Sequence, residues 1–429
     1  MSWFSKIGRR RDNAPLQTPS SEGDDLVFER PRSGPSGGAD DSLPRFRGSR
    51  LAGLGTHDSE QAARLQIRNA FTPSQPVNDR AMFAGRRDLL ERLIIAVEDQ
   101  QLHFVLFGDR GIGKTSILHV LSDLAVDADY LVTYISCGER MTFSDLARRI
   151  AQRIPLLFHS HYAPGSPEIE RGLNLADILP EGDIDVSTFG EQLGLLSNTR
   201  VLMLLDEFDR AGSEDFRRSI AELIKNLSDS AAPAQVVIAG VAADLTELIA
   251  QIPSIRRNVL GVLVPNMTDD EVSEMLNIAE KKTGFTFNES ARELLALASL
   301  GLPYLVGLIA QHAALFCAKR GELEIVKADI REAIRRARSE LSGRISARTL
   351  HAIHNAENDD QLIELGKLGH AALRSGGVLA PTMVTEKMRE EHDRGLGLIV
   401  PIEDDPLERW HFTDDGAAVY IWLSALSSE

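Results

Sequence analysis

The chain has 429 residues, enough for two or three domains, and its 43% hydrophobic and 26% charged residues are ordinary for a soluble globular protein. A formal net charge of −16 argues against a protein that coats nucleic acid by bulk electrostatics. Two cysteines, Cys137 and Cys317, offer neither a disulfide framework nor a zinc site; as buried free thiols they fit a reducing cytosol, so a cytoplasmic location is expected.

In chain order, residues 1–75 are rich in Ser, Gly, Pro, Asp and Arg and lack sustained periodicity, which predicts a disordered N-terminal tail. Its first residues mix Trp3, Phe4 and Ile7 with Lys6, Arg9, Arg10 and Arg11. A solvated tail is the default there, and a peptide docking on a membrane surface or partner the alternative. The character changes at Phe83-Ala84-Gly85-Arg86, which leads into an amphipathic helix beginning at Arg87. An apolar strand from His103 to Phe107 follows. It runs into Gly108-Asp109-Arg110-Gly111-Ile112-Gly113-Lys114-Thr115, and Ser116 continues into a helix.

Those eight residues fit the phosphate-loop pattern G-x-x-x-x-G-K-[ST] in its proper setting between strand and helix. Backbone N–H groups and the positive end of a helix dipole then surround a polyphosphate. Lys114 is expected to reach the outer phosphates, and the Thr115 hydroxyl to ligate Mg²⁺. Further strands are predicted at 130–136, 201–205, 235–239 and 260–264, separated by helices. That alternation predicts a parallel sheet with helices on both faces. Residues 160–190 read as an irregular insertion at a sheet edge. His159 and His161 within reach of it have no partners at metal-ligand spacing.

The second strong motif is Val201-Leu202-Met203-Leu204-Leu205-Asp206-Glu207, an apolar strand ending in two carboxylates. Ligands of doubly wound sheets gather at the carboxyl ends of the strands. Asp206 is therefore expected to lie beside the phosphate loop and hold Mg²⁺ through water, and Glu207 to polarise the attacking water. After Met267 the pattern is helical, with helices near 269–283, 288–298, 302–319 and 327–340. The apolar stretch from Gly301 to Ala318 is broken by Gln311 and His312 and reads as a buried helix, so no integral membrane protein is expected. From about 345, helices precede a hairpin around Ile399 and Trp410, a pattern that suggests a winged helix.

Roughly ninety residues separate Lys114 from Asp206, with one strand between them. With Phe83-Ala84-Gly85-Arg86, Leu204 to Arg210 and Gly301-Leu302-Pro303-Tyr304, the chain resembles the AAA+ superfamily and its STAND relatives. The similarity is to the branch that holds the archaeal and eukaryotic origin-recognition initiators and many bacterial ATPases, and it spans about residues 80–340. The resemblance implies an α/β P-loop NTPase with a five-stranded parallel sheet. It divides the chain into an ATPase core at 76–267, a helical lid at 268–343 and a winged-helix-like domain at 344–429. It implies that Gly85 and Arg86 lead into the adenine pocket and that Pro303 packs near the base. The lid arginine that often senses the γ-phosphate is missing. Gly240 to Ala243 offers no polar sensor, with Asp244 the first candidate, so hydrolysis is expected to be slow. Arg256 or Arg257 is the candidate to act in trans in a homo-oligomer.

The expected function is a Mg²⁺-dependent ATPase serving as a nucleotide-controlled switch on a protein partner. The alternative is a DNA-associated ATPase of initiator or loader type that uses the winged helix. Local charge disfavours DNA: residues 340–429 hold sixteen Asp and Glu against eight Lys and Arg.

Overall fold

The computed structural model describes residues 59–73, 75–76, 80–211, 213–241, 257–358, 361–395, 397–402, 405, 407–414 and 416–428. All of them belong to the unit Thr56–Glu429.

The first described element is a helix, α1 (Ser59–Ala70), which corrects the expected tail 1–75. Ile67, Ala70 and Phe71 share one helical face and are buried. The Phe71 ring meets Phe287 edge-on with centroids 6.4 Å apart, and Gln311 Nε2 donates to the Phe71 carbonyl (2.7 Å). A polar composition hid a short apolar stripe whose partner lies some two hundred and forty residues downstream.

The core runs α2 (Arg87–Glu98), β1 (His103–Gly108), α3 (Lys114–Asp127), β2 (Leu131–Ser136), α4 (Phe143–Ala151), α5 (Pro167–Glu170), α6 (Val186–Gly194), β3 (Val201–Asp206), α7 (Glu214–Asp229), β4 (Ala234–Val241) and β5 (Val259–Leu263). The strands are all parallel, in the order β2-β3-β4-β1-β5. In sequence β2 lies between the two motifs; in space it is β4 that separates β1 from β3. Strand residues alternate between two apolar layers. Phe104, Leu106, Leu202, Leu204 and Val237 face one layer with α2 and α3. Val105, Met203, Leu205, Val236 and Ile238 face the other with α4, α6 and α7. Every residue of β3 is buried, as the unbroken apolar run requires.

Residues 160–190 are not an irregular insertion. They carry α5, a 3-10 turn at Leu175–Ile178 and the start of α6. Leu175, Leu179, Ile184 and Phe189 are buried in the second apolar layer. Asp185 caps α6 by accepting from the Thr188 amide (2.9 Å).

The lid contains α8 (Asp269–Thr283), β6 (Thr286–Phe287), α9 (Glu289–Ser299), α10 (Pro303–Arg320), β7 (Glu324–Ile325) and α11 (Lys327–Ser342). Thr268 and Glu271 form a capping box at the start of α8. The third region contains α12 (Ala347–Asn358), α13 (Leu362–Arg374), β8 (Val378–Leu379), α14 (Glu386–Asp393), β9 (Ile399–Pro401), β10 (Trp410–Phe412) and α15 (Ala417–Ser428). Strand β10 pairs antiparallel with both β8 and β9, completing a winged-helix-like unit. A separate turn spans Pro381–Met383, and Thr385 caps α14. Helix α13 packs against α15 through Gly366 and Gly369, where an added Cβ would stand 2.6 Å from Ala425 Cβ and 2.8 Å from the Ala418 carbonyl oxygen.

Candidate nucleotide site

The parallel sheet brings the carboxyl ends of β1 and β3 to one edge, so the phosphate loop and the acidic pair share it. Gly108 (φ 140°), Gly111 (φ 78°) and Gly113 (φ 94°) all lie where side chains are disfavoured. The loop curls tightly enough for Lys114 Nζ to donate to the carbonyls of Gly108 and Asp109, each at 2.8 Å. Burial pushes the Lys114 ammonium down to about 8, with Asp209, Asp109 and Asp206 opposing. Burial also raises the Asp109 carboxyl to about 6, Lys114 opposing. Ile112 anchors the loop in the core, while Arg110 is exposed. Ser116 lies half-buried in the first turn of α3.

Asp206 is buried at the end of β3 and accepts three hydrogen bonds. Its Oδ1 takes the Glu207 amide (2.8 Å). Its Oδ2 takes the hydroxyls of Thr115 (2.7 Å) and Tyr134 (2.6 Å). Glu207 sits in the left-handed region at φ 52°. Its Oε2 accepts from Ser136 Oγ (2.8 Å) and Arg210 Nη1 (3.1 Å). Strain of this kind costs of order 1–3 kcal/mol and tends to gather at functional sites.

The other wall comes from the box before α2 and from the lid. Arg86 is also left-handed, at φ 57°. Its amide donates to Glu271 Oε1 (2.6 Å), and the Gly85 amide to Glu274 Oε2 (3.0 Å), tying the box to α8. The Gly85 position admits no side chain: a Cβ would lie 2.6 Å from Glu271 Cγ. The Arg86 side chain is 8% exposed, and its Nη2 donates to the Pro265 carbonyl (2.9 Å). Its Nη1 is buried with no hydrogen-bond partner among the described residues, 3.7 Å from where a Gly113 Cβ would stand. Burial lowers this guanidinium to about 10, Glu271 opposing. An unpaired buried donor costs about 1–3 kcal/mol, which an acceptor above Gly113 would recover.

Pro303 opens α10, with its Cγ 3.8 Å from that same Cβ position on Gly113. The Tyr304 amide donates to the Gly111 carbonyl (3.4 Å). Arg344, just past α11, donates to the Tyr304 hydroxyl (3.0 Å) and lies over its ring. The winged-helix turn also reaches the loop: a Cβ on Gly377 would stand 3.3 Å from Asp109 Oδ1.

A family model described as novel STAND NTPase 1 matches residues 70–336, more than half of the chain. The chain belongs to this STAND NTPase family. Among solved structures this STAND NTPase is similar to Cdc6p of Pyrobaculum aerophilum (14% identity, 84% of this chain and 98% of that one, TM-score 0.46). It is similar too to the Aeropyrum pernix Orc1 protein solved in complex with DNA (15% identity, 84% and 96% of the chains, TM-score 0.44). A third is RuvB of Thermotoga maritima, a Holliday junction branch migration motor (14% identity, 74% and 97%, TM-score 0.45). No curated protein sequence matches it.

The STAND NTPase thus has the expected P-loop fold, and Gly85, Arg86, the loop 108–116, Asp206, Glu207 and Pro303 come together. Arg257 is exposed in a turn ahead of β5. Arg256 and the sensor candidate Asp244 lie outside the described residues. At the end of β4 the Val241 amide donates to Asp209 Oδ1 (2.8 Å). Sequence reasoning missed Tyr134, Ser136, Asp209, Arg344 and Gly377. The signal for the first two was present as polar residues two apart at the end of a strand, and such residues point to one face. Among the described residues no group of three or more His, Cys, Asp or Glu could hold a metal by itself. A Mg²⁺ ion would take hard oxygens from Thr115 and Asp206 and the remainder from phosphates and water, a donor set that fits its preference. Among the same residues no helix is long and apolar enough to cross a membrane.

Proposed function

We propose that this chain is a slow, Mg²⁺-dependent ATPase whose bound nucleotide sets the arrangement of lid and winged helix, and that this arrangement is read by a protein partner. The observation that carries this reading is the convergence of three separate segments on one phosphate loop: the Arg86 box, the start of α10, and the Gly376-Gly377 turn. A nucleotide seated on the loop touches all of them, so its phosphates bear on where each can rest.

In this reading the loop amides and Lys114 hold the phosphates, and Arg86 Nη1 supplies a donor to the nucleotide above Gly113. Pro303 lines the base. Thr115 and Asp206 hold Mg²⁺, which when bound neutralises charge on the outer phosphates. Glu207 takes the proton of the attacking water. Ser136 and Arg210 hold its carboxylate, so it must leave them or act through them, consistent with slow turnover. Arg257 is the described candidate for completing the site of a neighbouring copy.

DNA is disfavoured by the partners of the cations on α14 and at its end. Lys387 meets Gln361 and Glu391. Arg389 donates to Pro381 and stacks on Trp410, and Arg394 faces Glu390. Two of these three cations thus have a carboxylate beside them, which weakens the surface they could offer to phosphates.

Lys114→Ala is expected to abolish ATP binding or hydrolysis. Glu207→Gln is expected to keep ATP and lose turnover by about 100-fold or more, the scale of removing a general base. Equilibrium binding of a fluorescent ATP analogue with parallel phosphate release measures both. Undiminished binding by Lys114→Ala would overturn the site assignment. A salt-dependent DNA titration with a steep slope would favour the initiator-type alternative.

A further inference from the structure

Tyr134 is a polar group of the site that neither motif contains. It stands on β2, the strand beyond β3, and its hydroxyl crosses to Asp206 Oδ2 at 2.6 Å. That oxygen also accepts from Thr115 at 2.7 Å, so two hydroxyls converge on one carboxylate oxygen. The Tyr134 ring is fixed from the other side by His119, edge-on with centroids 4.9 Å apart. His119 lies one helical turn beyond Thr115 on α3. The ring is thus clamped between the helix that presents Thr115 and the strand end that presents Asp206.

We infer that Tyr134 is a positioning residue for the divalent cation: its hydroxyl holds Asp206 Oδ2 at the metal position while Thr115 turns its oxygen lone pair to the ion. The two donors differ in what a cation does to them. Thr115 would ligate through a lone pair of the same oxygen whose hydrogen faces Asp206, so its hydroxyl would be shared between the two. Tyr134 stands outside the ligand set, so its hydroxyl would serve Asp206 alone and keep that carboxylate oriented. With one donor fewer the buried carboxylate is held less firmly, and its oxygen would then meet the ion in fewer of its orientations. Tyr134 touches neither nucleotide nor metal in this arrangement and acts through Asp206 alone.

This inference rests on the assignment of Thr115 and Asp206 to the metal, and the test separates the two. The protein is titrated with a fluorescent ATP analogue in EDTA and then at rising Mg²⁺. Wild type is expected to bind more tightly as Mg²⁺ rises. Tyr134→Phe is expected to match wild type in EDTA and to need about 10-fold more Mg²⁺ for half of the effect, the scale seen when a ligand loses its outer partner. In an Asp206→Asn background the same substitution is expected to change nothing further. A thermal melt by circular dichroism checks that each variant is folded. An unchanged Mg²⁺ midpoint in folded Tyr134→Phe, or an undiminished effect in the Asp206→Asn background, overturns the inference. Wild type indifferent to Mg²⁺ overturns the metal assignment itself, and this proposal with it.

Discussion

Lys114 and Asp109 carry opposite charges that the same burial disfavours, and each gives the site a pH signature. Lys114 is held at about 8, below the ordinary lysine value, and polyphosphate favours its charged form. Affinity for ATP is expected to be flat below that pH and to fall above it, by up to about tenfold per pH unit. Calorimetric titration in two buffers of different ionisation heat should register proton uptake at about pH 9 and none at about pH 7. Asp109 is raised from 3.8 to about 6, so its ionised form is the disfavoured one in the fold. Asp109→Asn should therefore raise the melting temperature at neutral pH. That gain fades as pH falls through about 6 and is gone below 3.8, where the carboxyl is protonated in both states.

Among the elements, the joint between β5 and the lid is the most constrained. Gly301 (φ 72°) lies where a Cβ would stand 2.0 Å from the Met267 carbonyl oxygen, and its own carbonyl accepts the Met267 amide (2.8 Å). Gly301→Ala must move backbone against backbone. It is expected to cost about 2–3 kcal/mol, the sum of left-handed strain and overpacking, and to weaken ATP binding because α10 starts two residues later. Denaturant melts and the fluorescent titration measure the two effects. The sequence made much of this legible. Phosphate loop, acidic strand end, capped lid helices and terminal hairpin were all local patterns. What stayed hidden was long-range. Helix α1 finds its partner α10 across most of the chain, Tyr134 belongs to the site only because β2 lies beside β3, and Gly377 reaches Asp109 only after the third region packs on the lid. Residues 160–190 misled because short helices with a few buried leucines have too little period to read.

For the whole molecule, the winged-helix-like unit is tied to the helices that precede it. Trp422 Nε1 donates to the Ala298 carbonyl of α9 (3.0 Å), and Arg338 of α11 lies over the Tyr420 ring. If nucleotide sets the position of these parts, ATP should change the assembly state or the partner-binding state while ADP should not. Mass measurement with a slowly hydrolysed ATP analogue is expected to show a shift from monomer, and Arg257→Ala should lower turnover only under assembling conditions. The same arrangement bears on how the protein comes apart. The carboxamide of Asn266, between β5 and the lid, donates both to the Leu300 carbonyl (3.0 Å) and to the Leu373 carbonyl (3.1 Å). One amide thus serves two regions, and neither can open without stripping it of a bond. Lid and winged helix should therefore unfold as one cooperative unit. A single calorimetric transition would cover both, and Asn266→Ala would broaden or split it by letting each half melt at its own temperature.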